Sequence, residues 1–514
     1  MIPVLTKEQA YKLDKDTIES GHLSQEELMD NAGRSVAQFF CEKIKNPFNK
    51  KVVVVCGKGN NGGDGVITHS YLKKYNVSSK IVFAEQNHGH SKLLQKYKIS
   101  KSEYSIYNDK IKFDKYDCII DAIFGIGLSR NINSNIVDIF HNILSNKPYN
   151  HDISWNNKII SIDTPSGQFI DSTYSTTISI YPKYILELGF PKVGNYFHFP
   201  TPQKHILDIG FKKLKKFDFQ IIDEHDIDNL IKPFYKDEKI HKHKKKVNII
   251  AGSDKYPGAA ILCSKAALQS GSGYVNLFVD TSNENTINLI KNNLPESIVE
   301  SLNSIHDFDK EDTFVDIENL LIGPGINFNR SMNIDYDFYN FNDCVIDAGG
   351  LKNKELSEFP LKSILTPHMG EFQGLFKFKF YVNDPIDGKR YEYCGLNSGS
   401  NFDFKLFKKI QKKLLGRIII LKSFNTYIID SDMIYIMDSG PSLLATAGTG
   451  DVLSGILVSL LSQGYSRLEA SVLGTYLHAE AANYYMNNIS KDGMTASDLI
   501  DCIPYAFNKL RKND

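Results

Sequence analysis

Short, mostly apolar runs alternate along this chain with longer stretches in which apolar residues recur every three or four positions. The runs at 52–56, 118–122 and 158–163 are predominantly apolar and read as strands buried in a parallel sheet. Each leads into a turn containing glycine or proline. Between them, 25–40 sets Leu28, Met29, Ala32, Val36 and Phe39 at helical spacing. The second half repeats the alternation, with strands predicted at 247–251, 320–322, 344–347 and 418–421. Alternating β and α units of this kind predict an α/β chain built on mostly parallel sheets.

With 514 residues the chain exceeds one ordinary core, so at least two domains are expected. The boundary is placed near residue 215, giving domains at 1–214 and 219–514. The charged stretch 211–246 between the halves contains His241-Lys242-His243-Lys244-Lys245-Lys246 and reads as a solvated linker, with phosphate contact as the alternative. Residues 377–404 read as an irregular insertion.

Charge changes the picture by exclusion. Lys plus Arg and Asp plus Glu both number 60, so no global field draws the chain to nucleic acid or an anionic membrane. Cysteine is scattered, with Cys41, Cys56, Cys118, Cys263, Cys344, Cys394 and Cys502 forming no C-x-x-C pair, which fits reduced thiols. The first residues turn charged before any apolar signal region, and no run reaches the length of a membrane helix. A cytoplasmic, soluble chain is expected.

Candidate chemistry sits at predicted strand ends, where ligands bind in open α/β sheets. Lys58-Gly59-Asn60-Asn61-Gly62-Gly63-Asp64-Gly65 follows the first strand, and its glycines would let amides approach an anion at a helix start. The segments 121–130 and 161–167 carry similar polar turns after two further strands. Asn61, Asp121 and Ser166 form an oxygen-rich set that suits a hard cation. Taken singly, each would also serve as a turn-forming residue.

Together these segments resemble the NAD(P)H-hydrate epimerase family, or YjeF N-terminal domain, over about the first 211 residues. Leu28-Met29-Asp30-Asn31-Ala32-Gly33 matches its usual helix and Asp208-Ile209-Gly210 its closing strand. The resemblance implies a Rossmann-like α/β sandwich in which Asn61, Asp121 and Ser166 bind K+. It also implies that Asn60, Asn61, Gly62, Gly63, Asp64, Gly125, Ile126, Gly127, Leu128, Ser129, Arg130 and Asp163 contact hydrated NADH or NADPH. Asp163 is the candidate acid/base, since a carboxylate beside the hydrated carbon can shuttle the hydroxyl proton. Ile126 stands where the family usually has Thr, and Glu187 where a hydroxyl residue is usual.

The sharpest motif lies further on: Ala445-Thr446-Ala447-Gly448-Thr449-Gly450-Asp451-Val452-Leu453-Ser454-Gly455. Glycines at a helix start allow an amide cradle for phosphate oxygens, and phosphoryl transfer needs little beyond positioning, charge stabilisation and one base. The alternative is a glycine turn with an N-capping Asp. The turn resembles the anion hole of ribokinase-like kinases. With 251–260, 265–273, Leu294-Pro295-Glu296, Ile322-Gly323-Pro324-Gly325, Val345-Ile346-Asp347-Ala348, Thr366-Pro367-His368-Met369-Gly370-Glu371, Leu421-Lys422-Ser423 and His478-Ala479-Glu480, it resembles the ADP/ATP-dependent NAD(P)H-hydrate dehydratase family over roughly 219–510.

That resemblance implies a ribokinase-like C-terminal domain in which Ala259, Gly325 and His368 contact the hydrated nucleotide. Lys422, Ser423, Phe424, Asn425, Thr426, Gly448, Thr449 and Gly450 would bind ADP or ATP, and Asp451 would activate the hydroxyl. Mg2+ is expected with the donor, and a homo-oligomer is expected. Gly349 and Ser423 differ from the usual Asp and Gly, and the usual His-Lys-Gly-x-x-Gly appears only as His241-Lys242 or His243-Lys244. Two other readings stay open: a ribokinase-like kinase of a vitamin precursor, and an N-terminal half that only binds.

Overall fold

The computed structural model describes residues 2–86, 89–144, 158–171, 176, 178–197, 203–212, 214, 216–231, 245–302, 318–326, 343–376, 380–383, 390–393 and 404–511. Two large sheets carry the fold. The first has seven parallel strands in the spatial order Tyr104–Ile106, Ser78–Phe83, Lys51–Cys56, Cys118–Ala122, Ile159–Ile162, Tyr184–Leu188, Gln203–Leu207. The second has eleven, and its centre is parallel: Ser363–Leu365, Cys344–Ile346, Leu320–Ile322, Lys246–Ser253, Tyr274–Asp280 and Ile298–Ser301 run side by side. Ile418–Lys422 continues that sheet in parallel, and antiparallel pairing then adds Thr426–Ile429 and Ile434–Met437.

The predicted strands are all present, within two residues at each end. Their continuous apolar runs are explained by burial on both faces: Val52, Val53, Val54 and Val55 are at most 1% exposed. The helix predicted at 25–40 forms as Gln25–Lys43, capped by Ser24. Its Gly33 lets the helix Asn60–Lys74 approach, because a Cβ there would lie 2.5 Å from Ile67 Cγ2.

Three expectations change. Residues 208–210 are not a strand; the last strand ends at Leu207, and Asp208 and Ile209 give their carbonyls to Ser35 and Asn31 of the helix Gln25–Lys43. The insertion at 377–404 contains a hairpin, Phe380–Asn383 paired with Arg390–Tyr393; most of the remainder lies outside the described residues. So does His241–Lys244 of the basic run and residue 215 of the expected boundary.

The chain's beginning crosses between the two halves. Ile2–Val4 pairs antiparallel with Phe219–Ile221 at the edge of the second sheet, and the helix Lys7–Glu19 that follows packs Ala10 and Leu13 with Ile126, Phe190 and Phe211 of the first half. Elsewhere the halves meet at Tyr196, whose carbonyl accepts from Asn425 Nδ2 and Tyr427 Oη, each at 2.7 Å, while Phe197 stacks on Tyr427. Val4 is fully buried in the second core. Val4→Ala is therefore expected to cost about 2 kcal/mol and to speed amide exchange across Phe219–Ile221, read by denaturant unfolding and hydrogen exchange. Among the described residues no helix is long and apolar enough to cross a membrane.

Candidate active sites

The first sheet places its site by topology. In chain order its strands lie 3-2-1-4-5-6-7, so the order reverses between Lys51–Cys56 and Cys118–Ala122. Loops leaving those two strands diverge and open a crevice at their carboxyl ends. A cavity of about 580 Å³ sits there, lined by Lys58, Asn60, Asn61, Asp64, the segment 123–130 and Asp163, with Tyr11 and Asp14 from the first helix and Lys192.

The residues 60–65 are the first turns of the helix Asn60–Lys74, not a turn ahead of it. Gly62 and Gly63, expected among the contact residues, are not among the residues that line the cavity. A Cβ on Gly62 would lie 1.9 Å from the Gly57 carbonyl oxygen, and one on Gly63 would lie 2.8 Å from Met29 Sδ. These glycines serve close packing, while Asn60, Asn61 and Asp64 face the crevice.

Asn61, Asp121 and Ser166 come together behind it. Ser166 Oγ donates to Asp121 Oδ1 at 2.6 Å, Ser166 N and Ser161 Oγ donate to Asp121 Oδ2, and Asn61 Nδ2 donates to the Phe124 carbonyl at 2.8 Å. Burial pushes the Asp121 carboxyl up, against the lowering effect of these bonds. Asn61 Oδ1 is buried with no hydrogen-bond partner among the described residues. An orphaned amide oxygen beside a bonded carboxylate fits a monovalent cation, which offers the missing positive charge.

Asp163 leaves the strand Ile159–Ile162 in a left-handed conformation, φ 65°. A non-glycine residue there costs energy and points to a functional constraint. Its Oδ1 accepts from Leu188 N at 3.1 Å and pairs with the Lys192 ammonium, which also donates to the Leu188 carbonyl. Glu187, fully buried, holds this corner by accepting from Lys192 N, Asn195 Nδ2 and Tyr196 Oη at 2.8–2.9 Å. Ile126 packs against the cluster of Leu5, just ahead of the first helix, with Ala10 and Leu13 on it, which accounts for an apolar residue at that position.

Burial, then the nearby Asp163 and Asp14, pushes the Asp64 carboxyl well above the usual range, with Lys192 opposing. Asp14 is pushed up to about 6 by burial, opposed by Lys192 and aided by Asp163. Sequence reasoning passed over Asp14 and Lys192. Asp14 lies in an ordinary amphipathic helix. Lys192 stands in Phe190-Pro191-Lys192-Val193-Gly194, whose Pro and Gly were the available signal.

The second sheet reverses order between Lys246–Ser253 and Leu320–Ile322. Gly325, φ 69°, lies in the loop after Leu320–Ile322, and a Cβ on it would lie 2.7 Å from Ala259 Cβ. Ser253 Oγ ties the loop down by donating to the Gly325 carbonyl at 2.7 Å. Asp347, His368 and Lys422 occupy three further strand ends in the same sheet. The backbone of Lys422 donates to the Pro367 carbonyl, which brings the last two strand ends together.

Asp451 is in the first turn of the helix Thr449–Ser462, whose N-cap is Gly448 at φ 90° with no side-chain cap. The capping reading of Asp451 is thereby set aside. Thr449 N is engaged by the Thr446 carbonyl, so the amides of Gly450 and Asp451 are those left for an anion. Lys422 Nζ pairs with Asp347 Oδ1 at 2.7 Å, and Ser454 Oγ takes Asp347 Oδ2 at 2.6 Å. Gly450 makes room for that ammonium, since a Cβ would lie 3.3 Å from Lys422 Nζ. Burial, then Asp347, pushes the Asp451 carboxyl up to about 7, with Lys422 opposing. Behind the turn His478, lowered to about 4 by burial, donates from Nε2 to the Thr449 carbonyl.

Two expected contact residues have other duties. Asn425 is 4% exposed and spends its amide on Tyr196 across the domain interface, so its side chain is not free for a donor nucleotide. His368 caps the helix Met369–Leu375, its Nδ1 accepting from Gly370 N and Glu371 N, while most of its ring stays exposed. Gly349 is explained by space: a Cβ would meet the Ile326 carbonyl oxygen at 2.5 Å. Nothing in the structure explains Ser423.

The family described as NAD(P)H-hydrate dehydratase matches residues 247–505, and that described as YjeF-related protein N-terminus matches 25–194. A bifunctional NAD(P)H-hydrate repair enzyme of Dictyoglomus turgidum is 30% identical over 518 residues, covering 94% of each chain. An NAD(P)H-hydrate epimerase of Entamoeba histolytica is 32% identical over 192 residues, covering 37% of this chain and 81% of that one. Among solved structures, the ADP/ATP-dependent NAD(P)H-hydrate dehydratase of Bacillus subtilis, co-crystallised with ATP and Mg2+, shares 23% identity at a TM-score of 0.43, over 56% of this chain and 98% of that one.

Proposed function

This chain belongs to the bifunctional NAD(P)H-hydrate repair enzymes, and we propose that it performs both reactions of that family at its two switch-point crevices. The first half interconverts the R and S forms of hydrated NADH and NADPH. The second half dehydrates the S form at the expense of ADP or ATP.

The observation that carries the reading is Asp451 beside the free first-turn amides, with Lys422 held close by Asp347. Hydroxide leaves poorly, whereas a phosphorylated oxygen leaves readily. Asp451, poised near neutrality, takes the hydroxyl proton as the oxygen attacks the donor's terminal phosphorus. The amides of Gly450 and Asp451 and the Lys422 ammonium stabilise charge on the transferring group. The ring nitrogen then expels phosphate, and loss of a neighbouring proton restores the dihydropyridine. Ala259, Gly325 and His368 border the nucleotide.

In the first half Asp163 acts on the hydroxyl, and Asn61, Asp121 and Ser166 would hold K+, which supplies positive charge behind the substrate. Mg2+ would arrive with the donor's phosphates. Asp347 has both oxygens engaged by Lys422 and Ser454, so no protein ligand is assigned to that ion. Mixing the purified chain with hydrated NADH and either donor is expected to restore the absorbance of NADH. Phosphorylation of a vitamin precursor without such recovery would instead favour a simple kinase.

A further inference from the structure

We propose that Asp14 is a second catalytic residue of the epimerase, exchanging the hydroxyl's proton in concert with Asp163. This rests on the epimerase reading above. Epimerisation moves a hydroxyl from one face of a ring carbon to the other, and one proton carrier cannot serve both faces at once. Among the described residues the crevice is lined by three carboxyl groups: Asp163 from a strand end, Asp64 from the helix Asn60–Lys74, and Asp14 from the first helix.

Their surroundings give them different work. Asp163 sits at the strand end against the Lys192 ammonium, and we assign it the role of proton acceptor. Asp64 is buried on the helix Asn60–Lys74, and burial pushes its carboxyl well above the usual range, which suits it less to exchanging a proton. Asp14 lines the cavity yet makes no hydrogen bond or ion pair with any described residue. The charged and titratable groups around it are Tyr11 on its own helix, Asp163, Lys192 and Asp64, with Lys58 and Arg130 further along the wall. Its value of about 6 leaves it able to give and to take a proton under working conditions.

The step balances with these two groups alone. The ring nitrogen's electron pair forms a carbon–nitrogen double bond as the carbon–oxygen bond breaks, and the departing hydroxyl takes the Asp14 proton and leaves as water. Water then adds to the other face, forming the new carbon–oxygen bond, and Asp163 takes its proton. One proton has passed from Asp14 to Asp163, and solvent exchange or the reverse conversion returns it.

The test uses the full chain. Asp14→Asn is expected to lower kcat for epimerisation by about a hundredfold or more, with KM within about twofold. Asp14 must carry a proton to release the hydroxyl, so the wild-type rate falls as pH rises through about 6, and the Asn variant loses that fall. Asp14→Glu, which keeps an acid in place, restores part of the rate. Dehydration of the S form by the same preparations stays at the wild-type rate and shows that they are folded. A raised KM with kcat unchanged, or an unaltered pH profile in the Asn variant, overturns the proposal. Wild-type protein unable to interconvert the epimers overturns the epimerase reading and this inference with it.

Discussion

Asp451→Asn lowers ADP- or ATP-dependent dehydration by about a thousandfold and leaves epimerisation at the wild-type rate. The amide keeps the shape of the carboxylate and its place in the helix but cannot accept the hydroxyl proton. Lys422, Asp347 and the first-turn amides remain, so donor binding is retained and the loss falls on kcat. The same change alters stability in the opposite direction. The folded chain holds the Asp451 proton up to about pH 7, whereas an unfolded aspartate releases it near 3.8. Between those values the folded state binds more protons, so this group's contribution falls as pH rises through the window. The Asn variant carries no such charge, and its Tm at pH 8 is expected to equal or exceed that of the wild type. Steady-state kinetics and paired thermal scans at pH 5 and 8 check both parts. Retained dehydration would remove Asp451 from the mechanism.

Asp163→Asn is the counterpart in the other half. Asn is the substitution of choice because it tolerates the left-handed conformation that residue 163 adopts, whereas Ala would add backbone strain. Its side-chain oxygen can still accept from Leu188 N, but the ion pair with Lys192 and the proton acceptor are gone. Epimerisation is expected to fall by about a thousandfold. With a mixture of hydrates and excess ADP, NADH recovery should proceed at the normal initial rate and stall once the S form is consumed. A variant that runs on to complete recovery would show that the proton is handled elsewhere, and Asp14 and Asp163 would then have to be separated by the double substitution.

Much of this was legible in the chain. Strands such as Lys51–Cys56 and Cys118–Ala122 announce themselves because a strand covered on both faces is apolar along most of its length. The Gly448–Asp451 turn and the Asn61, Asp121 and Ser166 set were legible because each lies next to such a strand or at the start of an apolar helix. Their proximity follows from parallel topology, which gathers successive strand ends at one edge.

Other features depended on contacts between distant segments, which leave no local pattern. Lys7–Glu19 reads as any amphipathic helix, and only its packing on Ile126 and Phe190 brings Asp14 into the crevice. Ile2–Val4 is too short to identify a partner, and its place beside Phe219–Ile221 is decided by an edge that would otherwise stay unpaired. Asn425 reads as a donor contact until the fold sets Tyr196 against it. The sequence by itself determined which residues could do the chemistry, through local hydrogen-bonding and helix-start geometry. Tertiary structure decided the upward shifts of the Asp14, Asp64 and Asp451 carboxyls, because burial and neighbouring charge act through space and not along the chain.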